Sequence, residues 1–283
     1  MSDNLNILTF DIEDWFHIEF ENDINIWNSY QSRIEGNLDR IFGLLEKHDQ
    51  NATFFCLGWI AGKYTQLIKR IDALGYEIGS HSYDHGLVYC KTPASFEEDL
   101  KKSIFTIEDA IGKKVRFFRA PAFSINEKTL WFFELIARYG IEIDSSVFPD
   151  NRDYGGFPGF SPARPVKISY KGTEIKEFPI NIHNTFGLKV VFSGGGYFRL
   201  LPYYLIRKWA NNSSYLMTYI HPRDIDPDQP VLQGLSMVRK FKSYVGLRNG
   251  FSKLDRFMHD FRFINLSQAV ESINWDEIDT IHL

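Results

Sequence analysis

The chain has 283 residues, of which 44% are hydrophobic and 24% charged, and its formal net charge is −4. These proportions are ordinary for a soluble globular protein and exclude a largely disordered chain. The negative net charge and the lack of a block of basic residues argue against a broad nucleic-acid surface. Apolar stretches are strand-sized, well short of the ~20 residues that a membrane-spanning helix needs.

The chain starts with Met1-Ser2-Asp3-Asn4 and then enters an apolar run, which leaves no room for a secretory leader with a cleavage site. We therefore expect a cytoplasmic protein without a transmembrane segment, unless a leader was removed. Two cysteines, Cys56 and Cys90, are too few for a disulfide framework. The oligomeric state has no signature in the sequence.

Short apolar runs alternate with helical patterns over the first half of the chain. The pattern predicts strands at 5–11, 52–57, 76–79, 115–118 and 141–144. It predicts helices at 36–48, 58–74, 93–111 and 126–139. This repeated β-α-β order implies an α/β fold with a parallel sheet or barrel and right-handed crossovers.

The second half is less regular. A loop rich in Gly, Pro and aromatic residues is predicted at 150–165, and strands at 174–180, 215–220 and 263–266. Helices are predicted at 200–211, 235–247, 252–260 and at the C-terminus. Because no low-complexity linker or repeat divides the chain, we expect a single domain over residues 1–283, with a less regular C-terminal extension from about residue 222.

Three carboxylates, those of Asp11, Glu13 and Asp14, close the first predicted strand. Asp11 and Glu13 share a face because side chains alternate along a strand. If the strand ends after Asp11, Asp14 could turn back to the same place. Such acids suit a general base on water or a metal ligand. The ordinary alternative is a helix cap or a turn.

Two histidines, His81 and His85, follow the third predicted strand at a spacing of i and i+4. On a helical turn this spacing places the imidazoles side by side. Two imidazoles and one carboxylate suit a divalent metal with an open coordination position, as in hydrolytic sites. The alternative is a surface histidine pair.

Further polar residues lie at predicted strand ends, where functional residues of parallel α/β folds gather. Arg119 needs an acid partner if it is buried and could orient Asp11, or else it faces solvent. His221 could protonate a leaving group, or it is a structural histidine. Asp144 could hold the His221 ring in its donor tautomer, or it caps a turn.

The Gly-rich segment at 193–197 lacks both the P-loop and the dinucleotide-binding patterns. We interpret it as a substrate-side loop, with Tyr197 and Arg199 as candidate sugar contacts. Pro121, two residues after Arg119, is a further substrate-side candidate. The alternative for this loop is a plain turn.

Four segments together resemble a known family: Thr9-Phe10-Asp11, His81-Ser82-Tyr83-Asp84-His85, Arg119-Ala120-Pro121 and His221. In this order and at these intervals they are similar to the polysaccharide deacetylases with the NodB homology domain, carbohydrate esterase family 4. Residues 194–203 and 221–227 resemble the subgroup found with exopolysaccharide and O-antigen gene clusters.

The resemblance implies a distorted (β/α) barrel and a divalent metal, commonly zinc, with cobalt, nickel or manganese as alternatives. It implies that His81 and His85 are metal ligands. It further implies that Asp11 is the general base, with Arg119 as its partner, and that His221 is the general acid.

Two assignments are less direct. Asp144 resembles the acid that orients the catalytic histidine. Many family members have two adjacent aspartates, but Ile12 stands in the second place here, so the metal carboxylate is Glu13 or Asp14. Strand alternation favours Glu13, whereas a short side chain in a loop favours Asp14.

These residues predict a metal-dependent hydrolase that removes an N-acyl group, acetyl above all, from an amino sugar of a polysaccharide or its precursor. The backbone N–H of Tyr83 or Asp84 would help to stabilise the oxyanion. One alternative is a hydrolase of small amides on the same fold. Another is a carbohydrate-binding relative without catalysis.

Overall fold

The computed structural model describes residues 4–18, 24–152, 154–185 and 187–283, and the chain divides into two compact units. Unit 1 comprises Met1–Ala52 and Ile182–Asn265, and unit 2 comprises Thr53–Asn181 and Leu266–Leu283. We expected a single domain. Two units arise because the segment from residue 182 to 265 pairs with the N-terminal strands, whereas the last residues pair with strands in the middle of the chain.

Unit 1 is built around short parallel strands. The first predicted strand is broken at Leu8 into β1 (Leu5–Ile7) and β2 (Thr9–Ile12), and every residue of β2 is buried. β1 pairs in parallel with β11 (Tyr215–Met217). Beyond β11, Ile220 forms a parallel bridge with Phe10, so the end of β2 and the residues after 220 emerge side by side.

The other elements of unit 1 surround these strands. The helices are α1 (Ile34–Lys47), α6 (Gly195–Leu200), α7 (Tyr203–Asn211), α8 (Met237–Tyr244) and α9 (Gly250–Asp260). An antiparallel pair, β9 (His183–Thr185) and β10 (Leu188–Val190), was not predicted. Helix α1 follows its predicted bounds closely because its apolar residues recur at helical spacing and are buried on one face.

Unit 2 has a mostly parallel sheet in the strand order β12-β7-β8-β6-β5-β4-β3. Its strands are β3 (Thr53–Cys56), β4 (Glu77–Ser80), β5 (Phe117–Phe118), β6 (Ile143–Asp144), β7 (Val166–Tyr170), β8 (Thr173–Glu177) and β12 (Thr280–His282). Among the described strands of this sheet, β7 and β8 alone are antiparallel neighbours, and they form a hairpin. Its helices are α2 (Gly58–Lys63), α3 (Thr65–Ala73), α4 (Pro93–Ile111), α5 (Trp131–Arg138) and α10 (Leu266–Ser272).

The α/β class with a mostly parallel sheet is therefore confirmed. Helix α4 has its predicted bounds, because a Thr92 capping box starts it and Gly112, at φ 68°, ends it in the left-handed region. The predicted helix at 58–74 is broken at Tyr64. Strand β12 was missed, and the predicted strand at 263–266 is reduced to one parallel bridge at Ile264.

Among the described residues no helix is both long enough and apolar enough to cross a bilayer. The expectation about a leader peptide rests partly on residues 1–3, which lie outside the described residues.

Two carboxyl groups meet in the core of unit 2. Asp144 on β6 is the register partner of Glu177 on β8, and both side chains are fully buried. Burial raises the pKa of Asp144 to about 6. Burial and the nearby charge of Asp144 raise the pKa of Glu177 well above its usual range. The pair therefore shares a proton at neutral pH.

This pair makes the stability of the protein pH-dependent. Because both folded-state pKa values are raised, the shared proton contributes stability at low pH that is lost as pH rises through about 6 and beyond. Glu177→Gln supplies an amide donor in place of the proton. We expect it to reduce the difference in unfolding free energy between about pH 5 and about pH 8 by roughly 1–2 kcal/mol, measured by urea unfolding.

A matched control is Glu142→Gln, which removes a carboxylate from the surface of unit 2, where Glu142 pairs with Arg116. The control should leave the pH dependence unchanged. Equal pH dependence in Glu177→Gln and in the unsubstituted protein would contradict the shared-proton interpretation.

Candidate active site

In unit 1, the end of β2 places Asp11 and Glu13 beside His221, as the alternation of strand side chains predicts. His221 Nε2 lies 3.9 Å from Asp11 Oδ2 and 3.8 Å from Glu13 Oε1. The Asp11 N–H donates to the Ile220 carbonyl at 2.9 Å, which fixes the two chain segments next to each other. The His221 side chain is 19% exposed, so a proton donor with access to solvent lies next to two buried carboxylates.

Asp14 has a different role from its two neighbours. Its Oδ1 accepts the Trp15 N–H at 2.8 Å, and its Oδ2 accepts the Ser32 hydroxyl at 2.5 Å and the Arg33 N–H at 3.0 Å. Burial raises the pKa of Asp14, and these hydrogen bonds oppose the shift. Asp14 therefore connects the end of β2 to the start of α1 by hydrogen bonds. This is the structural role, a helix cap or a turn, that the sequence left as the alternative to a catalytic or metal-binding one. Glu13 is the carboxylate that stays with Asp11.

The acid that orients His221 is Asp224 and not, as predicted, Asp144. Asp224 Oδ2 lies 2.9 Å from His221 Nδ1 and also accepts the His221 backbone N–H at 2.9 Å. The short 3-10 turn at Pro222–Ile225 returns Asp224 onto the residue three positions before it. Asp144 lies in unit 2, hydrogen-bonded to Ser146. An acid at i+3 from a strand-end histidine, ahead of a Pro turn, is a signal that the sequence contained.

Arg199 contacts the buried side of the His221–Asp224 pair and does not line a sugar site. Its Nε is 3.0 Å from Asp224 Oδ1, and its Nη1 donates to the Ser243 carbonyl at 2.8 Å. Because Arg199 is buried, its prediction as a sugar contact is wrong. Tyr197, two residues earlier on α6, is exposed and remains a candidate for that role.

The Gly-rich segment at 193–197 packs closely against the backbone of Tyr219. Gly194 forms a parallel bridge with Tyr219, and a Cβ at this glycine would lie 2.0 Å from the Tyr219 carbonyl oxygen. Only glycine fits such an approach. The segment consequently holds α6, and with it Arg199, next to the strand that leads to His221.

The negative charges around His221 make it a good candidate for general acid–base catalysis. Burial by itself lowers the pKa of His221, but the charges of Glu13, Asp224 and Asp11 outweigh it and raise this pKa to about 9. Burial alone would raise the pKa of Asp224, but His221 and Arg199 hold it well below its usual range. His221 is therefore protonated at neutral pH and can donate a proton.

In unit 2, His81 and His85 lie in a loop after β4 and not on the helical turn that their spacing predicted. Ser82 and His85 adopt left-handed φ values of 66° and 58°, which interrupt any helix. The ring centroids of the two histidines are 5.5 Å apart. His81 Nδ1 lies 2.7 Å from the Arg119 carbonyl, which can only accept, so Nδ1 carries the proton and Nε2 offers a lone pair.

Asp99 on α4 organises this loop, and sequence reasoning missed it. Its carboxylate accepts the backbone N–H groups of Tyr83 at 2.9 Å and Asp84 at 3.2 Å. These amides are therefore engaged, which contradicts their predicted role in stabilising an oxyanion. Burial and the charge of Asp84 raise the pKa of Asp99 to about 6, against the effect of Lys91. An acid on the buried face of α4 was the available signal.

Arg119 follows β5 and is fully buried, so the solvent-facing alternative is wrong. Its guanidinium donates to the Ser145 hydroxyl at 2.9 Å and lies over the Phe55 ring at 4.4 Å. Its pairing with Asp11 stays a prediction. Pro121, two residues after Arg119, is buried and begins a short 3-10 turn.

Comparison with known proteins gives the class. The family described as "Polysaccharide deacetylase" matches residues 3–142, and a "Domain of unknown function (DUF3473)" matches residues 145–271. "Uncharacterized protein YlxY" of Bacillus subtilis (strain 168) is 36% identical over 94 residues, 33% of this chain and 29% of that protein. "Peptidoglycan deacetylase" of Helicobacter pylori is 29% identical over 113 residues, 40% of this chain and 38% of that protein.

A crystal structure from Mycobacterium smegmatis, of a protein assigned to the polysaccharide deacetylases, has the same fold. Its TM-score is 0.69 at 16% identity, over 100% of this chain and 94% of that chain. Residues 3–142 form a domain of the polysaccharide deacetylase family. The chain spans only 29% and 38% of the length of the two relatives from Bacillus subtilis and Helicobacter pylori.

Proposed function

We propose that the protein is a metal-dependent deacetylase that removes the acetyl group from an N-acetylated amino sugar of a glycan. One observation carries this proposal: His221, whose partner Asp224 forms a buried ion pair with Arg199, lies within 4 Å of two strand-end carboxylates. A proton donor and a proton acceptor at this separation suit hydrolysis of an amide, whose nitrogen must be protonated as it leaves.

The donor set suits a metal. Glu13, His81 and His85 are buried, and each offers one ligand atom. We propose that these three residues hold the ion, since two imidazoles and a carboxylate suit zinc with an open position. The His81–Arg119 carbonyl contact supports this role because it leaves Nε2 as the basic nitrogen. Cobalt, nickel and manganese accept the same donors. When bound, the metal would polarise the acyl carbonyl and acidify water.

The side chains of this chain would carry the proton transfers. Asp11 accepts the proton of the attacking water. His221 donates the Nε2 proton to the departing amine and stays hydrogen-bonded through Nδ1–H to Asp224. Arg199 keeps Asp224 ionised, so the neutral ring is left in the correct tautomer. Arg119 would orient Asp11, as in the family that the chain resembles.

The substrate is proposed at the level of a class, the N-acetylated glycans, with those of exopolysaccharide or O-antigen assembly first. The test is release of acetate from N-acetylated oligosaccharides and polymers, before and after chelation and after adding back zinc, cobalt, nickel or manganese. We expect chelation to abolish release and one of these metals to restore it. No release from any glycan with any metal would overturn the proposal, and release from small amides alone would favour the small-amide alternative.

Asp224→Asn tests the histidine relay. The negative charge of Asp224 raises the pKa of His221, so removing that charge lets the imidazolium lose its proton at lower pH. We expect the alkaline limb of the pH–kcat profile to move to lower pH, with kcat reduced by about 10²-fold.

Asp226→Asn is the matched control, because Asp226 lies on the same segment but binds Arg33 and Asn37. It should change stability and leave the alkaline limb in place. If both variants keep the alkaline limb of the unsubstituted protein, Asp224 does not act through His221.

A further inference from the structure

Helix α8 turns apolar side chains to solvent. Met237, Val238 and Phe241 are 85%, 65% and 59% exposed, and Ser243 is the one buried residue of the helix. At 100° per residue these three side chains form one stripe, with Lys240 on one side and Lys242 on the other. We call these five residues the α8 ridge. Contiguous exposed apolar side chains with a charged border mark an interaction surface.

The sequence segment that carries the ridge has a charge opposite to that of the whole chain. Between Asp228 and Asp255 the sequence contains five basic residues and no acidic one, whereas the chain has a net charge of −4. Both Lys240 and Lys242 are exposed. The ridge is therefore apolar at its centre and cationic at its borders.

The ridge belongs to an ordered helix. The Ser236 side chain caps its first turn by accepting the Arg239 N–H at 3.2 Å. At its other end the carbonyls of Lys242 and Ser243 accept the guanidinium of Arg199 at 3.1 Å and 2.8 Å. The backbone of α8 is thus attached to the arginine that holds Asp224, and its outer face carries the three exposed apolar side chains.

We propose that the α8 ridge binds the surface of an anionic membrane. Apolar side chains of this kind insert into the boundary between headgroups and acyl chains, while flanking lysines extend their ammonium groups to the anionic headgroups. This binding is independent of the proposed deacetylation. It would bring the His221 relay to membrane-attached glycans, a consequence that rests on the proposed function.

The composition favours a lipid surface over the two protein alternatives. Cores of protein–protein interfaces are enriched in aromatic residues, Met and Arg, which include two of the apolar residue types of the ridge, but they are depleted in Lys, which borders the ridge on both sides. In a symmetric contact between two copies of this chain, Lys240 and Lys242 of both copies would meet, which adds repulsion between like charges. A membrane offers an apolar layer under a negative surface and matches both properties of the ridge.

The test is flotation of the full chain with vesicles of phosphatidylcholine alone or mixed with phosphatidylglycerol, at low and at high salt. We expect binding to the mixed vesicles, weakened by salt. The double variant Met237→Ser/Phe241→Ser should bind at least about ten-fold more weakly. Lys240→Gln/Lys242→Gln should lose most of the preference for phosphatidylglycerol.

The matched control is Phe105→Ser/Lys101→Gln, since Phe105 is 51% exposed on α4 in unit 2 and has Lys101 beside it. It should bind vesicles as the unsubstituted chain does. Absence of binding to mixed vesicles, or equal loss in the control, would overturn the proposal. A ridge variant that changes the molar mass by light scattering and not vesicle binding would also overturn it, in favour of a second copy.

Acetate release from a soluble oligosaccharide separates this proposal from the proposed function. The Met237→Ser/Phe241→Ser variant should keep that activity, because both side chains are exposed to solvent, whereas Asp224 and Arg199 of the relay are buried. Circular dichroism checks that each variant is folded. Loss of vesicle binding with unchanged acetate release is the expected result.

Discussion

Asp11→Asn should lower kcat for acetate release by about 10²–10⁴-fold while the bound metal stays at the level of the unsubstituted protein. Asparagine has the shape of aspartate but cannot accept the proton of water. Asp11 Oδ2 lies 3.9 Å from His221 Nε2. The substitution therefore removes the general base and leaves the general acid, His221, in place. The measurements are kcat under saturating substrate and metal content by elemental analysis.

Metal content is the internal control for that variant. If turnover falls and metal content falls with it, the loss does not identify a base. If Asp11→Asn retains turnover within about ten-fold of the unsubstituted protein, Asp11 is not the general base.

Glu13→Gln should weaken metal binding by more than about 100-fold, because a neutral amide replaces a charged ligand. The matched variant is Asp14→Asn at the next position. Asp14→Asn should keep the metal and lower the free energy of unfolding by about 1–3 kcal/mol, because an amide cannot accept all the hydrogen bonds from Trp15, Ser32 and Arg33. Metal titration and urea unfolding of both variants provide the measurements.

The two variants separate the two carboxylates that the sequence left open. Retention of metal by Glu13→Gln together with its loss in Asp14→Asn would reverse our assignment. Loss of metal in both variants, with unchanged stability of Asp14→Asn, would mean that the two carboxylates share the ion.

The buried ion pair under His221 has a cost that its hydrogen bonds offset. Arg199 and Asp224 are both buried, and removing one partner of such a pair leaves an uncompensated charge. The other guanidinium nitrogens of Arg199 donate to backbone carbonyls near the end of α8. A fully bonded network of this kind holds the imidazole in one orientation. We interpret this rigidity as the reason why Arg199, Asp224 and His221 contact one another in a row within unit 1.

Much of the fold was predictable because its signals are local. Apolar periodicity and the Thr92 and Gly112 caps define α4 without reference to the rest of the chain. Alternation along β2 placed Asp11 and Glu13 on one side, and the strand-end rule selected His221. Three short strands, β9, β10 and β12, were missed. β9 and β10 have three residues each and pair with each other, which is too short a stretch for a clear alternation of apolar and polar residues. β12 pairs with β7, more than 100 residues earlier in the sequence.

The sequence by itself therefore determined the parallel α/β class, the helix with strong caps and the strand-end acids and histidines. Only the tertiary structure decided which partner each of these groups has. A 3-10 turn brings Asp224, and not Asp144, to His221, and the start of α1 engages Asp14. The physical reason is that side-chain hydrogen bonds depend on turn geometry and on neighbouring elements, and neither is encoded in the periodicity of a single segment.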